Sequence, residues 1–147
     1  MSDDKKAAKE LVETLKDGEK GFASAAEKLR DGEHAEWATT LQRLSEQRAG
    51  FSREIIELGH EYDDDVDASG TVAATLHRGW ISLKDALTGD DAGSVLAAAA
   101  TGEDHAVSEY EDALEQDLSA GFRDVVTRQH AAVVAARDEV KALQSAG

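Results

Sequence analysis

Seven residues carry most of the chemistry this sequence could perform: Glu19, Glu46, Gln47, Arg48, Glu103, Gln129 and His130. They sit in a repeat. Gly18-Glu19 returns as Gly102-Glu103, 84 residues on, and Gln47-Arg48-Ala49 returns as Gln129-His130-Ala131 at an offset of 82, so the chain reads as two copies of one helical hairpin. Glu19 lies seven residues from Val12 and from Ala26, and Glu103 lies seven from Leu96 and from Tyr110. Each glutamate therefore falls on an apolar helix stripe. An ionised carboxylate in that position is costly unless something compensates it.

Two compensations are open. The first is a dinuclear metal centre, which takes one glutamate from each of two helices and a Glu-x-x-His from each of the other two. Reflecting Glu19 through the turn near residue 31 puts its height on the second helix at residues 43–47. The same operation on Glu103 points to about residue 135, a looser match to Gln129. The strings near those heights are Glu46-Gln47-Arg48-Ala49 and Thr127-Arg128-Gln129-His130, and neither is Glu-x-x-His. An iron or manganese site would have to be built from Glu19, Glu103 and His130 with help from Glu46. The second compensation is a structural polar layer of Glu19, Arg48, Glu103 and Gln129, with Gln47 beside it. Arg48 lies seven residues from Leu41 and Ile55, and Gln129 seven from Phe122 and Ala136. An arginine there can grip a carboxylate with two N–H groups, and a glutamine can donate its NH₂. Arginine is also electrostatically adverse inside a dication site. The polar layer is the favoured expectation, with no cofactor.

Other motifs have plainer readings. Glu57-Leu58-Gly59-His60 has metal-ligand spacing but falls at a bundle end, where a solvated helix terminus is expected. Asp63, Asp64, Asp65 and Asp67 begin like a calcium loop, yet its sixth and twelfth positions are Ala68 and Ala74 instead of glycine and glutamate. His77-Arg78-Gly79-Trp80 is expected to anchor packing. The rival reading, a docking site for a protein partner, requires Trp80 to be exposed. His34 and His105 are expected at the surface, and no serine, histidine and carboxylate suggest nucleophilic catalysis.

The elements that must position these residues are helices. Proline and cysteine are absent, which removes helix breakers, disulfides and thiolate chemistry together. Apolar or small residues at Leu11, Leu15, Gly18, Phe22, Ala25 and Leu29 define the first helix, closed by Asp31-Gly32. Trp37, Leu41, Leu44, Phe51, Ile55, Leu58 and Tyr62 define the second. Val72, Leu76, Trp80, Leu83 and Leu87 form a connecting helix up to Gly89, and Asp91 caps a further helix carrying Leu96, Ala99, Ala106 and Tyr110. After a turn near residues 119–121, Phe122, Val126, Val133, Ala136 and Val140 define the last. The expectation is an all-α, ferritin-like antiparallel four-helix bundle in one domain. It comprises hairpin 1 over about 6–62, a crossover over about 63–90 that contains a fifth helix, and hairpin 2 over about 91–145.

Charge narrows the partners. With 31 acidic against 16 basic residues the chain carries −15, which repels phosphate backbones, so no nucleic acid is expected. The basic trio Lys5, Lys6 and Lys9 lies in a segment expected to fray. No apolar stretch suits a signal peptide or a bilayer span, so a cytoplasmic protein with no membrane contact is expected. The helical surface suggests a homodimer.

The strings Leu15-Lys16-Asp17-Gly18-Glu19-Lys20-Gly21-Phe22, Gln47-Arg48-Ala49, Leu76-His77-Arg78-Gly79-Trp80, Ala86-Leu87-Thr88-Gly89 and Gly102-Glu103-Asp104 resemble an uncharacterised bacterial family of ferritin-like four-helix-bundle proteins. The resemblance runs from residue 11 to residue 143. It implies the ferritin-like fold, and through the wider superfamily it suggests stress response or metal handling. The family is a domain of unknown function and supplies no ligand set. Only Glu19 and Glu103 match the superfamily's carboxylates, which argues against ferroxidase chemistry and for a non-enzymatic bundle.

Overall fold

The computed structural model describes residues 3–61, 78–89 and 91–146. These form α1 (Asp4–Leu29), α2 (Ala35–Glu61), a single 3-10 turn (Arg78–Trp80), α3 (Ile81–Thr88), α4 (Ala92–Leu114) and α5 (Ala120–Ala146). The protein is all-α, and among the described residues there is no strand. Tyr62, the aspartates from Asp63 to Asp67, Val72, Leu76 and His77 lie outside the described residues, as does the side chain of His60. Among the described residues no helix is long and apolar enough to cross a membrane.

Local sequence accounts for the helix ends. Asp91 caps α4 as expected: its Oδ1 accepts from the Gly93 N–H at 2.9 Å and its Oδ2 from the Ser94 hydroxyl at 3.0 Å. Gly89 closes α3, its N–H reaching the Ala86 carbonyl at 3.4 Å. Ala120 and Gly121, expected in a turn, instead begin α5. The N-terminal segment differs more. Asp3 N–H donates to the Asp117 carbonyl at 2.6 Å, and the buried Asp4 carboxylate accepts from the Ser119 N–H at 2.9 Å and its hydroxyl at 2.5 Å. Asp3 and Asp4 thus tie the start of α1 to Asp117 and Ser119 in the turn just before α5, so the segment expected to fray is docked.

Cross-helix pairs give the directions. Ser45 donates to the Glu19 carbonyl at 2.8 Å and Arg48 touches Gly18, so α1 and α2 run antiparallel, joined by residues 30–34. Ser45 falls at the height given by reflecting Glu19 through the turn. Tyr110 bonds Gln129 and Lys141 bonds Asp104, which makes α4 and α5 antiparallel as well. Arg43 grips Glu139, and Arg128 grips Glu54, along the α2–α5 seam. Asp3 and Asp4 at the start of α1 meet Asp117 and Ser119 just beyond the end of α4, while Gly21, further along α1, meets Trp80 together with Gly102 in the middle of α4, which makes α1 antiparallel to α4.

The apolar interior is divided. One cluster gathers Phe22, Trp37, Leu41, Leu44, Trp80, Leu83, Val95, Leu96, Ala136 and Val140, and the other gathers Leu11, Leu15, Ile55, Val107, Tyr110, Phe122, Val126 and Val133. On α1 the boundary falls around Gly18, on α2 around Arg48, and on α4 around Glu103. The sequence thus breaks its apolar stripes at one level on three helices.

Candidate functional site

At that level sits a buried ion pair. Arg48 is 1% exposed and Glu103 is fully buried. Arg48 Nη1 donates to Glu103 Oε1 at 2.6 Å and Nη2 to Oε2 at 2.7 Å, the parallel two-bond geometry of a guanidinium on a carboxylate. Arg48 Nε donates to Gln47 Oε1 at 3.1 Å, and the guanidinium carbon lies 5.2 Å from the centre of the Phe22 ring. Arg48 packs against Gly18: a Cβ there would lie 3.6 Å from Arg48 Cγ, an ordinary van der Waals contact. The duplicated Gly-Glu therefore faces one cation: the first copy contributes its glycine and the second its glutamate.

A second polar tier lies about two turns away along α4, where seven residues rise about 10 Å. Fully buried Gln129 accepts from the Tyr110 hydroxyl at 2.7 Å through Oε1 and donates through Nε2 to Glu54 Oε1 at 2.8 Å. Arg128 grips the other Glu54 oxygen. Burial pushes the ionisation of Tyr110 well above the ordinary tyrosine range; Glu54 and Glu103 reinforce that shift, and Arg48 and Arg128 oppose it. Sequence reasoning had Tyr110 on the stripe but missed its hydroxyl partner, and it missed Glu54 and Arg128. The signal for Tyr110 was there, because a buried phenol needs a hydrogen-bond partner.

The remaining candidates are dispersed. Glu19 is only half-buried, and its backbone carbonyl, not its carboxylate, meets Ser45. A glutamate stem is long enough to leave an apolar stripe for solvent. Glu46 is exposed and accepts from Gln42 Nε2 at 3.2 Å. His130 is half-buried, with Nε2 3.6 Å from Glu111 and no hydrogen-bond partner. Among the described residues no three histidine, aspartate or glutamate side chains gather into a metal-sized group.

Trp80 packs as an anchor. It is 2% exposed, meets the Phe22 ring edge-on at 4.9 Å and 73°, and lies against Gly21 and Gly102. The exposed tryptophan that a docking site would require is not there. His105, expected at the surface, is half-buried beneath Gly79 with its Nε2 unpartnered, while His34 stacks on Trp37 at 3.7 Å.

The arrangement can therefore fix two helical hairpins against each other through charge and amide contacts. The sequence model of one protein family, Domain of unknown function (DUF2383), matches residues 5–116. None of the curated proteins matches the chain.

Proposed function

The chain belongs to the DUF2383 family, and from its polar interior we propose a non-enzymatic, ferritin-like four-helix-bundle protein in which Arg48 serves as a fixed internal cation. The observation that carries this reading is the two-bond grip of Arg48 on Glu103, with both side chains buried. The run of helix directions supports the bundle topology: α1 and α5 point one way and α2 and α4 the other, so α2 ends and α4 begins at opposite ends of the bundle. The donor set does not fit a dinuclear centre, because both Glu103 oxygens are engaged and a metal ion beside them would stand against a guanidinium. A charged layer of this kind sets which helices meet and in which register. The protein acts, in this reading, as a soluble cytoplasmic scaffold associated with stress.

The test is metal content. Untagged protein, before and after loading with ferrous iron or manganese, is expected to hold no stoichiometric metal by mass spectrometry. Metal bound one or two to a chain, and lost in Glu19→Ala with Glu103→Ala, would overturn the reading. The degenerate-metal alternative, using Glu19, Glu46, Glu103 and His130, draws on one observation: the His130 Nε2 is buried without a hydrogen bond. His130→Gln separates the two, since it is expected to leave metal content unchanged.

A further inference from the structure

Peroxides and hypohalous acids, which oxidise by delivering an oxygen atom, act on proteins first at sulfur. Thiolates climb from sulfenic to sulfonic acid, and thioethers become sulfoxides that disrupt the cores they lie in. This chain has no cysteine, and its one methionine is Met1. Both apolar clusters are built without sulfur, from alanine, valine, leucine, isoleucine and aromatic rings. Thiol-based sensing is removed by the same composition, because such a sensor needs an accessible, readily ionised cysteine.

Indole rings are the next target, and the fold keeps both from solvent. Trp80 is buried against Phe22, Gly21 and Gly102. Trp37, at the start of α2 beside the connection from α1, is 6% exposed. Its cover is His34. The imidazole lies flat on the indole, with ring centroids 3.7 Å apart and planes within 8° of parallel. The Trp37 N–H donates to the His34 carbonyl at 2.9 Å, which holds both residues in one turn. With 36% of its side chain exposed, His34 meets solvent in place of the ring beneath it.

We propose, on the basis of the scaffold role above, that the stress this protein meets is attack by oxygen-transferring oxidants, that it endures them without sensing them, and that His34 shields Trp37. The chemistry is a two-electron transfer. Hypochlorous acid gives its oxygen atom to a thioether, or more slowly to the C2 position of an accessible indole; the sulfoxide or oxindole forms, and a proton and chloride are released. Because the clusters on either side of Arg48 and Glu103 hold no thioether, no sulfoxide forms inside the core to loosen the helices around the pair.

The experiment uses the full chain, stripped of metal by a chelator. It is treated with hypochlorous acid, quenched with free methionine, and followed by residue-resolved mass spectrometry and by melting temperature. Trp37 and Trp80 are expected to gain no oxygen, and the melting temperature is expected to stay where it was. Ile81→Met places a thioether at an exposed position and is expected to become the sulfoxide, which shows that the dose is effective. His34→Ala, a change in the connection between helices, is expected to raise oxindole at Trp37 several-fold while Trp80 stays unmodified. Oxygen on either indole of the parent at the dose that oxidises Ile81→Met, or a fall in the parent's melting temperature, overturns the proposed endurance. Equal oxidation of Trp37 with and without His34 overturns the shield. Since metal is removed throughout, a finding that the chain binds iron would strike the scaffold role and leave these outcomes as they stand.

Discussion

Arg48 and Glu103 stabilise the interior only as a pair. Arg48→Met leaves a fully buried carboxylate without its cation, and the expected loss in urea denaturation is about 3–5 kcal/mol. Arg48→Met combined with Glu103→Leu removes both charges and lets the two apolar clusters join; stability is expected to return to the parent value or exceed it by about 1–4 kcal/mol. A double variant as weak as the single one would mean that the pair contributes shape and not charge. Tyr110 offers a second test. Its raised ionisation means that the folded state favours the neutral phenol, so its contribution is complete below the unfolded tyrosine value of about 10 and declines as pH rises above it. Absorbance titration is expected to show one of the two tyrosines ionising late, coupled to unfolding. Tyr110→Phe is expected to abolish that late step and, by leaving Gln129 Oε1 unpaired, to destabilise by about 1–3 kcal/mol.

Among the elements, the N-terminal turn of α1 is held by contacts far away in sequence. Asp4→Ala removes two bonds to Ser119, and the expected result is a loss of about 1 kcal/mol with faster tryptic cleavage at Lys5, Lys6 and Lys9. Unchanged cleavage would mean that Asp3 alone holds the segment. This docking was not legible in the sequence, because periodicity reports which face of a helix is buried and not which distant turn its end will meet. The presence of α1, α2, α4 and α5 and the burial of Arg48, Glu103 and Gln129 were legible, since each lies on a stripe of three-and-four spacing, whereas the stripe through Trp80 did not reveal that residues 78–80 form a 3-10 turn. The same stripe overstated Glu19: a straight helix drifts about 20° per heptad, and a long polar side chain can turn that drift into an exit to solvent. The split of the polar residues into two tiers was also hidden, because the height reflected from Glu103 only loosely matched Gln129, which sits level with Tyr110.

For the whole molecule, a charge of −15 on 147 residues makes self-repulsion a general load on the folded state. Raising ionic strength from about 0.01 M to about 0.15 M shortens the screening length from about 30 Å to about 8 Å. The melting temperature is therefore expected to rise by several degrees, and a fall would show that surface ion pairs such as Arg43 with Glu139 outweigh the net charge. The buried pair also bears on how the two halves find each other. The α1–α2 hairpin carries the arginine and the α4–α5 hairpin the glutamate. Two copies of the second hairpin would enclose two carboxylates with no guanidinium, whereas two copies of the first would have to answer each Arg48 with Glu19, which stands at the repeat position of Glu103 but is only half-buried. Although the halves share one repeat, the second carries His130 where the first carries Arg48, so its buried glutamate finds its cation in the first hairpin alone, and hairpins exchanged between neighbouring chains would still mate first with second.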